Sequence, residues 1–176
     1  RTGRDGSAIV RAHLEQIAET YEDRNFLWSH QPPLPSLAAT WNRALQFVWS
    51  LGEPEALVVN NDVRLHRETA RLLAKALSYA DALFVSAVGV TAAQFDRELS
   101  YPEDALPPPF FVGTGPDLAK GGPDFSCFLI SREGHLKYPF DEAFMPAFCE
   151  DLDLHRRMML GGDAARIFSI NLPFLH

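Results

Sequence analysis

Short, uninterrupted apolar runs alternate with segments of helical period along this chain, and that alternation limits its fold more than any other feature. Ala56-Leu-Val-Val59 and Ala82-Leu-Phe-Val-Ser-Ala-Val88 show no polar–apolar alternation and are too short for buried helices. Runs of this kind read as strands covered on both faces, as in a parallel sheet. Recurrence at three- and four-residue steps surrounds them, in Ile9, Val10, Leu14, Ile17 and Tyr21, then Leu37, Trp41, Leu45 and Val48, then Leu72, Leu73, Ala76 and Leu77. Asp5-Gly6-Ser7 and Ser36 are placed to cap the first two helices, and Gly52 to end the second. With Asn25-Phe-Leu-Trp-Ser29 as a further short strand, the order is α-β-α-β-α-β. That order predicts an α/β layered sheet.

The second half is less regular. Residues 100–122 are rich in proline and glycine and predict a long excursion. Phe125-Ser-Cys-Phe-Leu-Ile130 predicts a strand, and Ser131-Arg-Glu-Gly-His135 a short turn or helix. Glu150 to Leu160 predicts a helix ended by Gly161-Gly162, and Ala165-Arg-Ile-Phe-Ser-Ile170 a last strand.

Composition narrows the function classes. At 176 residues and 47% apolar content the chain is expected to be one self-folding domain. Sixteen basic against 23 acidic side chains give a net charge of −7, and the basic residues are scattered, which argues against a nucleic-acid partner. No run approaches the roughly 20 apolar residues that span a bilayer, and the start has no apolar leader core, so a cytoplasmic protein without a transmembrane segment is expected. Cys127 and Cys149 make no Cys-x-x-Cys pair and read as two ordinary thiols.

Two groups of polar residues stand out. Asn60-Asn61-Asp62 follows the apolar run 56–59 directly, and ligands of open α/β sheets bind beyond the carboxyl ends of strands. An aspartate there can hold a hard divalent cation, although all three residues also favour a plain turn. Downstream, five acids, Asp141, Glu142, Glu150, Asp151 and Asp153, fall within thirteen residues beside Phe140, Phe144 and Phe148. On a helix Asp151 would pair with His155 and Asp153 with Arg157, and first-turn acids suit the helix dipole. Those roles account for Asp153 well, but not for the whole cluster. Trp41 and Trp49 fall on a helical pattern and read as core, while His13, His30, His66 and His135 have no ligand-like spacing.

Taken together, Leu57-Val-Val-Asn-Asn-Asp-Val63, Phe140-Asp-Glu-Ala-Phe144 and Glu150-Asp-Leu-Asp-Leu154 resemble the family 2 glycosyltransferases of GT-A fold, in particular rhamnosyl- and galactofuranosyl-type members. The resemblance covers nearly the whole chain. It implies a Rossmann-like three-layer α/β/α sandwich with a mostly parallel central sheet. It also implies an enzyme that moves a sugar from a nucleotide-sugar donor to a glycan, lipid-linked or protein acceptor, with inversion and with Mn²⁺ or Mg²⁺. On these positions it implies Asp151 as catalytic base beside Glu150. Asn42, Asn60, Asn61 and Asp62 fall at donor-binding positions, Asp141 and Glu142 at acceptor-binding ones, and Asp62 and His176 at those of the metal ligands.

The chain departs from the family pattern in four ways. Asn60 replaces an acid, which lowers the charge offered to a cation. The turn before Asn42 lacks the usual glycine, and Arg4 stands where the family has a base-contacting aspartate. The family's first strand would precede residue 1, as in a chain truncated at its N-terminus. A non-catalytic GT-A-like domain that binds a glycan or a protein is the alternative those departures favour. A metal-dependent hydrolase or nucleotidyltransferase using Asp62 and Asp141 is a further one.

Overall fold

The structure, a computed structural model, describes residues 34–95, 109–110 and 123–175. By their contacts the residues divide into two compact units, Arg1–Leu34 and Pro35–His176, and the fold described here is that of the second. The helix expected over 5–21, the strand at 25–29, most of the 100–122 excursion and His176 lie outside the described residues.

Helix α1 spans Leu37–Ser50. Ser36 starts it from an extended conformation, its hydroxyl accepting the Ala39 N–H at 3.1 Å, so one of the helix's unpaired first-turn donors is satisfied. Ala38, Trp41, Leu45 and Trp49 form its buried stripe. Gly52, at φ +88°, turns the chain into β1 (Glu55–Val59). A two-residue strand β2 (Arg64–Leu65), helix α2 (Thr69–Tyr79) and strand β3 (Phe84–Val90) follow. Then come a single turn α3 (Ala92–Phe95) and β4 (Pro109–Phe110). Strand β5 (Cys127–Ser131) leads straight into α4 (Arg132–Lys137), whose first turn is capped by the Ser131 hydroxyl accepting from Gly134 N. Helix α5 (Glu150–Leu160), a 3₁₀ turn (Ala164–Arg166) and β6 (Ile167–Leu175) complete the described chain. Among the described residues no helix is long and apolar enough to cross a membrane.

The strands form one sheet in the order β1-β5-β3-β6-β2, with β4 also on β6. Its two faces carry separate cores, because successive strand side chains point to opposite sides. Phe84, Phe128, Ile130 and Ile167 pack with Trp41, Leu45 and Trp49 of α1 and with Leu154 and Met158 of α5. Val85, Cys127, Leu129 and Phe168 pack with Leu72, Leu73, Ala76 and Leu77 of α2. Strand β1 joins both, Ala56 and Val58 on the first side and Leu57 on the second. The sheet's central serines, Ser86 and Ser169, are buried and satisfy each other at 2.6 Å.

The chain is therefore α/β, as its alternation of elements predicts, with helices on both faces of a sheet. The pairing among the described strands is mostly antiparallel, however, where a mostly parallel sheet was expected. Only β3·β6 is parallel, in register Phe84↔Ile167 with a shift between Ser86 and Val88. β1 and β3 both run antiparallel to β5, so β1, β3 and β6 share one direction and β5 lies reversed between two of them. An apolar run reports burial on both faces and carries no information on the direction of its neighbours. A second departure concerns α5. Asp153 bonds Arg157 at 2.6 Å as the spacing predicts, but the expected Asp151–His155 pair is not made. His155 is 1% exposed with both ring nitrogens unpartnered, and burial holds its pKa below the ordinary imidazole value, so it offers Asp151 no charge.

Candidate functional site

An open cleft of about 400 Å³ lies where three segments meet: the first turns of α1, the carboxyl end of β1 with the entry to β5, and the start of α5. The β1–β5 ladder builds its floor. Val59 pairs with Cys127, and one step further Asn60 N donates to Ser126 O at 2.9 Å, so Asn60 stands beside Asp124, Phe125 and Ser126. Asp124 folds its own loop, Oδ1 accepting the Ser126 N–H at 2.9 Å. Its other oxygen lies so close to Gly89 of β3 that a Cβ on that glycine would sit 2.7 Å from it. Gly89 is thus a position of close approach, where any side chain would displace the Asp124 carboxylate.

One wall is aromatic. Trp41 of α1 lines the cleft and stacks on Phe125, with centroids 6.4 Å apart and planes at 29°, and it is backed by Phe128 and Phe140. Glu150 and Asp151, at the start of α5, also line the cleft. Glu150 is 5% exposed and its Oε2 has no hydrogen-bond partner, whereas Asp151 is half-buried and its Oδ1 accepts the Leu152 N–H at 2.7 Å.

The position of these two acids is set by the segment before them. Asn42, buried in α1, donates from Nδ2 to Phe140 O (2.8 Å) and Glu142 Oε1 (2.9 Å) and accepts at Oδ1 from Phe140 N (3.0 Å). The same oxygen meets His135 Nε2 at 3.0 Å. Trp49 Nε1–H can only donate, and it does so to His135 Nδ1 at 2.9 Å, so the His135 proton is on Nε2 and points at Asn42. Burial keeps that ring neutral by pushing its pKa down. Further along, Leu37 N donates to Pro146 O at 2.9 Å. Phe148 and Cys149 then enter α5 with φ of +88° and +74°, a left-handed stretch that costs a non-glycine residue roughly 1–2 kcal/mol. At its other end α5 is held by Asp163, which accepts from Lys137 Nζ (2.6 Å) and Tyr138 OH (2.7 Å). The Lys137 bond first, then the Tyr138 bond, keeps the Asp163 carboxyl below its usual pKa.

The cleft gathers Asn60, Glu150 and Asp151 from the residues singled out in the sequence. Asn61 and Asp62 are exposed on the turn that follows and do not line it. Asn42 has its amide committed to the clamp. Glu142 is exposed apart from its bond to Asn42, and Asp141 caps a turn by accepting the Ala143 N–H at 2.9 Å. His176 lies outside the described residues. Among the described residues no group of three or more His, Cys, Asp or Glu is arranged to hold a metal, so Asp62 has no companions there that complete a cage for Mn²⁺ or Mg²⁺.

Sequence reasoning missed Asp124 and the Trp41–Phe125 wall. The rule that ligands sit beyond strand carboxyl ends points to Asn60 but not to a residue ahead of a strand. Reversal of β5 is what brings Asp124 to the same end of the sheet. Compared with known proteins, the chain matches no family model and no curated sequence.

Proposed function

We propose that this chain is a glycosyltransferase of GT-A type, transferring a sugar from a nucleotide-sugar donor to an acceptor hydroxyl with the cleft as its reaction site. One observation carries the reading: Asn60 and the Glu150–Asp151 pair, ninety residues apart in the chain, line the same cleft. Those are the positions that the resemblance gives to donor binding and to the base. Three strands of common direction with helices on both faces also suit a Rossmann-like domain.

In this reading Asp151 removes the proton from the acceptor hydroxyl as its oxygen bonds to the anomeric carbon. The bond to the nucleoside diphosphate breaks on the opposite face, which inverts the configuration. The bond from Leu152 N orients the Asp151 carboxylate, and Asn60 contacts the donor from the end of β1. Asn61 and Asp62 would meet the donor from the turn beyond. No step here passes through a metal ion. The competing reading, a GT-A-like domain that binds a glycan or protein without catalysis, draws support from the exposure of Asp62 outside the cleft.

The test is a thermal-shift panel of sugar nucleotides with and without Mn²⁺, followed by nucleoside diphosphate release from whichever compound binds. The expected result is a shift with one base class, in wild type and Asp151→Asn alike, and release slowed roughly 10²–10⁴-fold in Asp151→Asn. No shift with any sugar nucleotide, or unchanged release in the variant, refutes the transferase reading.

A further inference from the structure

We infer that Gly89, near the end of β3, is a positioning residue of the cleft: its missing side chain admits Asp124, whose Oδ2 accepts hydrogen bonds from a pair of neighbouring hydroxyls on the sugar-nucleotide donor. The inference rests on the transferase reading above. It adds to that reading the part of the donor that is held and the two residues that hold it.

Glycine is an unfavourable residue for the place it occupies here. Inside a strand it has no side chain to pack and gains more entropy than other residues on unfolding, so it weakens the strand unless another group needs the space. Its backbone does not call for glycine. Gly52 and Gly162 have left-handed φ, but Gly89 does not, and it pairs in register with Phe174 of β6. What the position lacks is room for a side chain, since an added Cβ would meet Asp124 Oδ2 at 2.7 Å and only then the Phe174 ring, at an ordinary 3.4 Å. The glycine therefore serves the placement of Asp124.

Strand direction carries that placement into the cleft. β1 and β3 run the same way with β5 reversed between them, so their carboxyl ends, at Asn60 and Gly89, flank the entry to β5. Asp124 stands at that entry. It lines the cleft together with Asn60, and the Ser126 N–H on its Oδ1, at 2.9 Å, fixes the rotation of the carboxylate. Among the described residues no donor and no cation engages Oδ2.

The chemistry of these groups selects what they hold. A carboxylate accepts hydrogen bonds and cannot give them, so it takes the hydroxyls of a ligand and not its phosphate oxygens. Bonds to a charged acceptor are roughly twice as strong as neutral ones, and acids at strand carboxyl ends hold ribose hydroxyls in dinucleotide-binding sheets. Asn60 can both donate and accept, which suits the second hydroxyl of a pair. A sugar nucleotide offers such pairs on its ribose and on its transferred sugar.

The experiment uses the full chain and the variants Gly89→Ala, Asp124→Ala and the two combined, with UDP-glucose, GDP-mannose and dTDP-glucose and their parent diphosphates as probes in the presence of Mn²⁺. Thermal midpoints without ligand establish folding. Gly89→Ala is expected to fold like wild type, because its one close contact is the far end of a movable side chain. Calorimetric titration then gives Kd for the probe that binds wild type. Gly89→Ala and Asp124→Ala should each weaken it at least tenfold. The combined variant should lose no more than Asp124→Ala alone, because Gly89 has nothing to act through once the carboxylate is gone. A glycine with a purely structural role gives additive losses instead. A loss already seen with the parent diphosphate puts the hydroxyls on the ribose, and a loss seen only with the intact sugar nucleotide puts them on the transferred sugar. Either supports the inference. If Asp124→Ala does not fold, Asp124→Asn takes its place, because its Oδ1 still accepts the Ser126 N–H. Wild-type affinity in a folded single variant, additive losses, or a Gly89→Ala chain that does not fold overturns the inference and leaves the transferase reading standing. No binding of any of the three sugar nucleotides by wild type overturns the transferase reading and this inference with it.

Discussion

Asn42→Ala should be among the most damaging single substitutions in the described unit, although it removes only one carboxamide. That group makes four hydrogen bonds, two with the Phe140 backbone and one each with His135 and Glu142. Glu142 is exposed and its bond counts for little, but Phe140 and His135 are 2% exposed and their polar atoms cannot turn to water. Three buried bonds at roughly 1 kcal/mol each, with a further penalty for the orphaned partners, give a loss of about 3–5 kcal/mol. Stabilities of ordinary domains are about 5–15 kcal/mol, so the loss takes a large share of the total. Urea unfolding followed by the fluorescence of buried Trp41 and Trp49 measures it, as a fall in midpoint at constant slope. Asn42→Asp keeps the acceptor that His135 and Phe140 need but turns a carboxylate oxygen toward Phe140 O and Glu142. It should therefore be at least as damaging at pH 7 and recover on acidification. A loss below about 1 kcal/mol in Asn42→Ala would refute the view that this side chain holds the segment leading to Glu150 and Asp151.

Two further outcomes follow from the buried ionisable groups. His135 and His155 are both kept neutral by burial, with folded-state pKa values below the ordinary one, so the unfolded chain takes up protons first as the pH falls. Their contribution is intact above about pH 6.5 and is lost below it, at up to about 1.4 kcal/mol per pH unit for each ring until the folded-state pKa is reached. Urea midpoints at pH 7.5, 6.5 and 5.5 should show this, and His155→Leu, which removes an imidazole without partners, should be as stable as wild type at pH 7.5 and more stable at pH 5.5. A thiol titration should find one reactive cysteine in the native chain and two in urea. Cys149 is exposed, whereas Cys127 is fully buried in β5 and its pKa is pushed up to about 12, by burial first and by Asp124 second.

Local signals carried most of the elements. Ser36 and Ser131 cap the helices that follow them, Gly161-Gly162 stops α5, and the periodic residues of α2 bury, as do Trp41 and Leu45 of α1, while Leu37 and Val48 are half-buried. The caps and the glycine stop depend on a few adjacent residues and their backbone geometry, so they can be read in order along the chain. The 138–149 segment has no period to read. Its shape comes from Asn42 and Leu37, a hundred residues away, through bonds that no local propensity reports. His135 had no ligand-like spacing to mark it, and its place between Trp49 and Asn42 depends on α1 and α4 packing side by side.

The candidate site divides the same way. Residue type and spacing determined that Asn60, Glu150 and Asp151 were of interest, because polar residues at a strand's carboxyl end and acids crowded among aromatics are visible without coordinates. Strand direction decided what joins them. Apolar patterning sets which residues are buried, but the direction of a strand depends on where its connection returns, and β5 returns antiparallel between β1 and β3. That reversal places Asp124 beside Asn60 and the aromatic wall beside both. The sequence by itself determined the layered α/β class and the acids, since these rest on short-range pattern. Only the tertiary structure decided the sheet's pairing, the clamp at Asn42 and the makeup of the cleft, because each depends on residues that the fold alone brings together.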